Sequence, residues 1–388
     1  MTVASRAWVE RNLGFDPIAT PAPQKSFATA AATKKAATPE DLQREIIDFD
    51  SEAPEGAAFF AFSTATGLSR FTEIPWPQGL APKTDAMVRR GHAGALPNAD
   101  VLVVTWTVDE GHALSRVLTP GKDSRNDYAP YRHNFSKIAK KMVPMCPAVQ
   151  AGRLGAYWTG RIGKKRVVYF KSDSHMSQDT KSAPKVGGTL PNEDLWRQII
   201  AEVDPRIVIT TGTAGGIGRT CEVGDVVVSP VVTFDCMKWL SKETFAHRSF
   251  KSAAPDRRLF ATARRLFKAN SARLPPDNKR APRIVVASSP ASSVLTTDFF
   301  GFDTSDDHYK LQGLGAVSEM GDAILGLASS RSNAKGPLWL AVRNVSDPQI
   351  QAEGSLSDQA QVAAQIYKGF GRWSSVCSAI VCWALIAA

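Results

Sequence analysis

The chain has 388 residues, 43% of them hydrophobic and 22% charged. That is enough apolar material for a large core, exceeds the roughly 100–200 residues of a usual domain, and excludes a disordered or fibrous chain. The formal net charge of +10 calls for an anionic partner, yet the basic residues fall in short groups such as Arg89-Arg90 and Lys164-Lys165-Arg166. With no basic arm and no aromatic–basic repeat, recognition of phosphate groups is favoured over binding of nucleic acid.

Residues 1–38 read as a flexible segment, rich in Ala, Thr, Pro and Lys from residue 16 onward. Thr38-Pro39-Glu40-Asp41 has the form of a helix start, with a Thr cap, a first-turn proline and acids at the positive end. Residues 39–98 hold that helix, a strand candidate at Ala57–Ser63 and a Pro/Gly-punctuated stretch, and form a small extension of unassigned role. No apolar stretch follows Met1, so secretion is not expected. Five cysteines without a CxxC pair or a metal-ligand cluster fit a reducing cytoplasm, with the thiols as core residues.

From residue 99 to 388 the pattern alternates. Strand candidates are Val101–Thr105, Arg166–Phe170, Ile207–Thr211, Val226–Pro230, Arg283–Ala287 and Trp339–Val342. Helical stretches are Asp109–Leu118, Glu193–Val203, Pro255–Ala269, Met320–Ser330 and Asp358–Ala387. Short apolar runs between helices predict strands buried on both faces, and so a three-layer α/β/α domain around a mixed sheet. The final apolar run, Val376–Ala388, is shorter than the ~20 residues that span a bilayer and reads as a buried terminal helix.

Four segments at strand ends carry candidate chemistry. In Pro205–Pro230 a β-branched run enters Thr-Gly-Thr-Ala-Gly-Gly, read as a turn, and Gly224-Asp225 opens the next run. Small residues there either let a backbone approach a ligand or make a tight loop between core strands. Ligands of α/β folds lie beyond the carboxyl ends of the strands, where this segment falls. Asp109-Glu110 follows the strand ending at Thr105, where an acid can also simply complement a helix dipole. Ser318-Glu319-Met320-Gly321-Asp322 opens an apolar helix, and the strand from Leu338 ends in Arg343-Asn-Val-Ser346-Asp347-Pro348.

In this order, TGTAGG…GDVVVSP, SEMGDA and RNVSD resemble the nucleoside phosphorylase/nucleosidase superfamily. They look closest to its hydrolytic branch, the methylthioadenosine/S-adenosylhomocysteine nucleosidases and related nucleotide nucleosidase modules, of which nucleotide-cleaving versions occur in defence systems. The likeness runs from about Asp100 to the C-terminus and leaves residues 1–98 uncovered. It implies release of a purine base, adenine above all, from a nucleoside or nucleotide, by a homo-oligomer that needs no cofactor, metal or membrane. Asp347 matches the family's aspartate at the purine N7, oriented by Ser346. Glu110 matches the glutamate that positions and deprotonates the attacking water. Glu319-Met320 matches the Glu-Met pair at the ribose, and Thr105, Thr213, Ala214 and Gly215 fall among the substrate contacts. Phe299 or Phe300 falls where the family stacks an aromatic on the base, although a Phe pair is more often a core feature than a stacking platform.

Two departures stand out. The family's second ribose glutamate is replaced by Gly321, so that either Asp322 reaches back to the sugar or the sugar is held differently. Its Gly-rich turn is replaced by Lys171-Ser172-Asp173-Ser174-His175, where Ser172 and His175 either contact a 5′-phosphate or fill space. The phosphorylases bind phosphate with arginines at two positions that are Thr210 and Asp109-Glu110 here, which favours water as the nucleophile. Arg116, Arg125 or Arg132 keep phosphorolysis open, and a non-catalytic nucleotide sensor is the other alternative.

Overall fold

The runs at 101–105, 165–172 and 207–216 lie side by side as parallel strands, because β-branched and apolar side chains on both faces let helices cover each side. The computed structural model describes residues 74–86, 94–144, 146–176, 188–271, 282–331, 336–350 and 354–388. In chain order the strands and longer helices begin with β1 (Lys83–Thr84), β2 (Val101–Thr105), α1 (Val108–Leu118), β3 (Ala129–Tyr131), β4 (Gly155–Ile162), β5 (Lys165–Ser172), α2 (Pro191–Val203) and β6 (Ile207–Gly216). There follow β7 (Val226–Ser229), β8 (Val231–Asp235), β9 (Ser249–Lys251), α3 (Arg257–Ser271), β10 (Ile284–Val286) and β11 (Val294–Thr297). The chain closes with β12 (Val317–Glu319), α4 (Asp322–Ser330), β13 (Leu338–Asp347) and α5 (Leu356–Ala387).

The sheet is mixed and forks at β6. Its first part runs parallel to β2 on one side and β13 on the other, while Gly215 and Gly216 pair with Ser318 and Val317 of the antiparallel β12. β12, β11 and β8 continue that branch in parallel, and β13 continues the other through the antiparallel β7. Pro230 separates β7 from β8, and a residue without an N–H is a natural point for the chain to leave one ladder for another. On the far side β5 pairs with antiparallel β4, which carries β1 and β3.

Strand alternation sorts side chains into two cores. Val101, Val103, Ile209 and Val342 face α1, α3 and α5, packing with Leu114, Phe267 and Ile380. Leu102, Val104, Val208 and Ala341 face α2 and α4, packing with Leu195, Ile199 and Leu325. The fold is therefore a three-layer α/β architecture around a mixed sheet. The C-terminal run is the buried end of α5, and among the described residues no helix is long and apolar enough to cross a membrane. The five cysteines are free thiols, four of them buried.

The structure corrects the Thr211–Gly216 segment: β6 continues through Gly216, because β13 and β12 offer it partners on both edges. The helix expected from Met320 starts at Asp322, leaving Met320 and Gly321 in the connection. The expected helix at Thr38 and strand at Ala57–Ser63 lie outside the described residues. Of the region before residue 99, β1 adds to the sheet edge, Trp76 packs on Trp383 at 4.3 Å between ring centroids, and the Trp383 Nε1–H donates to the Leu80 carbonyl at 2.8 Å. Trp383 is fully buried and joins this region to the terminal helix. Replacing it by Ala should lower unfolding free energy by about 3–5 kcal/mol in urea denaturation; a loss under about 1 kcal/mol would contradict this packing role.

Candidate active site

Glu110 occupies the third position of α1, and its placement follows from helix capping. Thr107 accepts the Glu110 amide at 3.2 Å, while Glu110 Oε2 accepts the Thr107 amide at 2.9 Å, a capping box. Oε2 also accepts the Trp106 amide and the Thr105 hydroxyl, and Oε1 accepts both the amide and hydroxyl of Thr213 at 2.7 and 2.8 Å. That close approach requires Gly212: its φ is +155°, and a Cβ there would stand 2.3 Å from Oε1. The glycine thus makes room for a carboxylate of the protein itself.

Arg343 lies inside the apolar strand β13 with 2% of its surface exposed. Its Nε and Nη2 donate to both oxygens of Asp322 at 2.8 and 2.6 Å. Nη2 also lies 3.2 Å from Glu319 Oε2 and Nη1 lies 3.9 Å from Glu110 Oε1, and the guanidinium stacks over Trp106 at 4.7 Å. Burial alone would lower its affinity for a proton, but Asp322 and Glu319 hold it firmly charged. Sequence reasoning passed over this residue, although a charge inside Leu-Trp-Leu-Ala-Val is itself a signal that acids must be waiting.

Three carboxylates around one guanidinium cannot all ionise at equal cost. For Glu110, burial pushes upward but is outweighed by Arg343 and the amides of Thr107 and Thr213, so its pKa falls below the ordinary 4.5. Glu319 goes the other way: burial and the Asp322 charge push it well up, despite Arg343 and the Thr296 hydroxyl. Its carboxyl also accepts the amides of Gly321 and Asp322.

Asp347 ends β13, where a register shift sets it opposite Gly215. Ser346 Oγ donates to Asp347 Oδ1 at 2.8 Å, and Oδ2 lies 3.1 Å from where a Gly215 Cβ would be. Burial raises the Asp347 pKa to about 6, with the Ser346 hydrogen bond offsetting part.

The structure therefore brings Glu110, Thr105, Thr213, Glu319, Asp322, Ser346, Asp347 and Gly215 to the carboxyl ends of β2, β6, β12 and β13. Several of these do something other than touch a substrate. Asp322 gives both oxygens to Arg343 instead of reaching back to a sugar. The indole of Trp106 lies 3.2 Å from where a Gly321 Cβ would be, filling the space a second glutamate would need. Thr105 is fully buried behind Glu110, and Ala214 packs in the apolar core while its carbonyl accepts from Ser346. Phe299 is 3% exposed and stacked on Tyr309 at 5.3 Å, and Phe300 packs against Tyr367, so packing accounts for both rings. Met320 is half-buried beside Glu319. Ser172 closes a local turn with Ser174. Burial and the charge of Lys171 depress the half-buried His175 to about 4, against Glu110 and Asp173, so its ring is neutral near pH 7.

A parallel-stranded α/β layer with opposed carboxyls at its strand ends defines an enzyme-type site. The family model described as the phosphorylase superfamily matches residues 130–381, well over half of the chain. The chain belongs to the phosphorylase superfamily. Among solved structures it is similar to a 5′-methylthioadenosine/S-adenosylhomocysteine nucleosidase from Neisseria meningitidis, with 18% identity over 74% of this chain and 99% of that one, at a TM-score of 0.44. It is also similar to an S-adenosylhomocysteine nucleosidase from Streptococcus pyogenes (16% identity, 76% and 98% covered, TM-score 0.44). A futalosine hydrolase from Helicobacter pylori gives 12% identity, 74% and 96% covered and a TM-score of 0.44. No curated protein matches the chain.

Replacing Arg343 by Met should cost about 3–5 kcal/mol of unfolding free energy near neutral pH, because buried carboxylates lose their counter-charge. Those acids then bind protons more readily in the folded than in the unfolded chain, so the deficit should shrink as pH falls through the carboxylate range. A deficit in urea denaturation that is independent of pH would refute the charge-balancing role.

Proposed function

We propose that the protein hydrolyses the N-glycosidic bond of a purine nucleoside or nucleotide and releases the free base. The observation that carries this is the opposite displacement of two carboxyls at one set of strand ends. Environments that push two titratable groups apart divide the acid role from the anionic role. Asp347, with its pKa raised to about 6, takes up a proton far more readily than an ordinary carboxyl and can pass it to a departing base. Glu110, held below 4.5, stays ionised.

Rupture of the bond between C1′ and N9 sends its electron pair to the base and leaves an oxocarbenium-like sugar. Proton donation from Asp347 to N7 neutralises the base as that charge develops, an effect typically worth ~10²–10⁴-fold. Glu110 stabilises the cationic sugar and orients water toward C1′. Its five hydrogen-bond donors make it a weak base. That suffices, because water becomes strongly acidic only once its oxygen has bonded to the cationic carbon, and its proton then moves to Glu110.

Water is favoured over phosphate by Thr210, a fully buried mid-strand residue in the position where the phosphorylases carry an arginine. Glu110 itself would repel a phosphate at the second such position. Of the arginines in the following segment, Arg116 and Arg132 are exposed, and Arg132 Nε donates to the Gly152 carbonyl.

Incubation with adenosine, methylthioadenosine, AMP and ATP without phosphate, followed by chromatography, should show free adenine from at least one. No base release, or release only with added phosphate, would overturn the reading. Asp347→Asn and Glu110→Gln should each reduce kcat/KM by at least ~10²-fold with the fold intact by circular dichroism. Near-full turnover by either variant would remove its residue from the mechanism. Because the protonated form of Asp347 is the active one, the wild-type kcat/KM should fall as pH rises through about 6; a profile that keeps rising from pH 6 to 8 would contradict that role.

A further inference from the structure

The strand ends lie in the order β13, β6, β2, β5, all parallel and all ending at the same edge. Asp347 closes β13, Gly212 to Gly216 close β6, and Glu110 follows β2. At the end of β5, next in line, sits a compact group of charges that the proposed hydrolysis does not use. Asp173, 3% exposed, accepts Lys171 Nζ on Oδ1 at 2.5 Å and Arg153 Nε on Oδ2 at 2.7 Å. The pairing of Lys171 with Thr105 sets this group directly beside the residues that hold Glu110. The Lys171 stem also lies 3.1 Å from where a Gly111 Cβ would be, against the first turn of α1.

Two cations share one carboxylate, which leaves an excess positive charge in a poorly hydrated place. The side chains of Lys171 and Arg153 are only 13% and 27% exposed, and a charge held away from water calls for a counter-ion. The donors suit an oxyanion. Lys carries three N–H groups and Arg five, and Arg153 bonding through Nε leaves its terminal nitrogens as a fork. The spacing suits a particular ligand. With neighbouring strands ~4.8 Å apart, β13 to β5 spans roughly 14 Å along the edge, about the reach of base, sugar and 5′-phosphate laid end to end. Asp347 under the base and Glu110 under C1′ put the 5′ end of the sugar over β5.

We propose that Lys171 and Arg153, fixed by Asp173, form a subsite for a phosphate dianion, carried as the 5′-phosphate of a nucleotide substrate. The proposal rests on the hydrolytic reading for the direction in which the substrate lies. The subsite is separate from Thr210 and Asp109-Glu110, the positions at which the phosphorylases hold their phosphate.

Titration calorimetry of full-length Asp347→Asn protein measures the subsite without turnover. AMP should bind at least about tenfold tighter than adenosine, as charge-assisted hydrogen bonds to a phosphate imply. That ratio should fall toward one when Lys171→Met or Arg153→Met is added, and Lys171→Arg should retain it. Equal affinity for AMP and adenosine, or a preference that survives both Met substitutions, would overturn the proposal. Inorganic phosphate distinguishes the two sources of the ligand. If wild-type protein cleaves AMP with no phosphate added, the subsite serves the nucleotide; if phosphate binds alone and base release depends on it, the substrate-borne assignment is overturned. Absence of base release from every nucleoside and nucleotide refutes the hydrolytic reading by itself, while the calorimetric ratio still decides the subsite.

Discussion

A guanidinium almost without access to water sets the terms for everything around it. Arg343 can be charged inside β13 only because Asp322, Glu319 and Glu110 surround it, and these come from three different segments. The end of β12, the start of α4, the start of α1 and the middle of β13 are thereby pinned to one point. Removing Arg343 would leave buried carboxylates without a counter-charge, and a broken buried pair costs far more than an intact one contributes. The network is better understood as fixing geometry than as a source of stability.

From that point the protonation states follow. Arg343 and a shell of amides hold Glu110 ionised, while Asp347 has a hydroxyl for a partner and, among the described residues, no cation that offsets its burial. Two carboxyls on the same edge therefore sit in opposite electrostatic environments. Close approach of a side chain to the backbone is part of the same arrangement. Gly212 admits the Glu110 carboxylate and Gly215 faces that of Asp347, so the small residues of β6 serve the protein's own acids first.

Much of this was legible in the sequence, and the failures have physical causes. Runs such as Val101–Thr105 and Ile207–Ile209 are unbroken and β-branched, so their strands are readable. Gly155–Ile162, Gly-Ala-Tyr-Trp-Thr-Gly-Arg-Ile, has two glycines and no period, and becomes a strand only because β5, β1 and β3 pair with it. Thr-Gly-Thr-Ala-Gly-Gly reads as a turn on local propensity, and tertiary pairing on both edges overrides that. Asp347 and Glu110 are readable from motif order, whereas the role of Asp322 stays open in the sequence because its partner, 21 residues away, is visible only in space. Arg343 could have been found by asking what a charge does inside an apolar strand. Phe299 shows the converse: an aromatic in the right place by motif, already stacked on Tyr309.

The central claim is that Asp347 delivers a proton to the purine while Glu110 faces the sugar and its water. A crystal structure with a purine nucleoside whose N9 is replaced by carbon, so that the bond cannot break, tests it most directly. Asp347 Oδ2 should lie within about 2.6–3.2 Å of N7, with a water between Glu110 and C1′. A purine bound with N7 away from any carboxyl, or a sugar with Glu110 out of reach of its C1′ face, would contradict it.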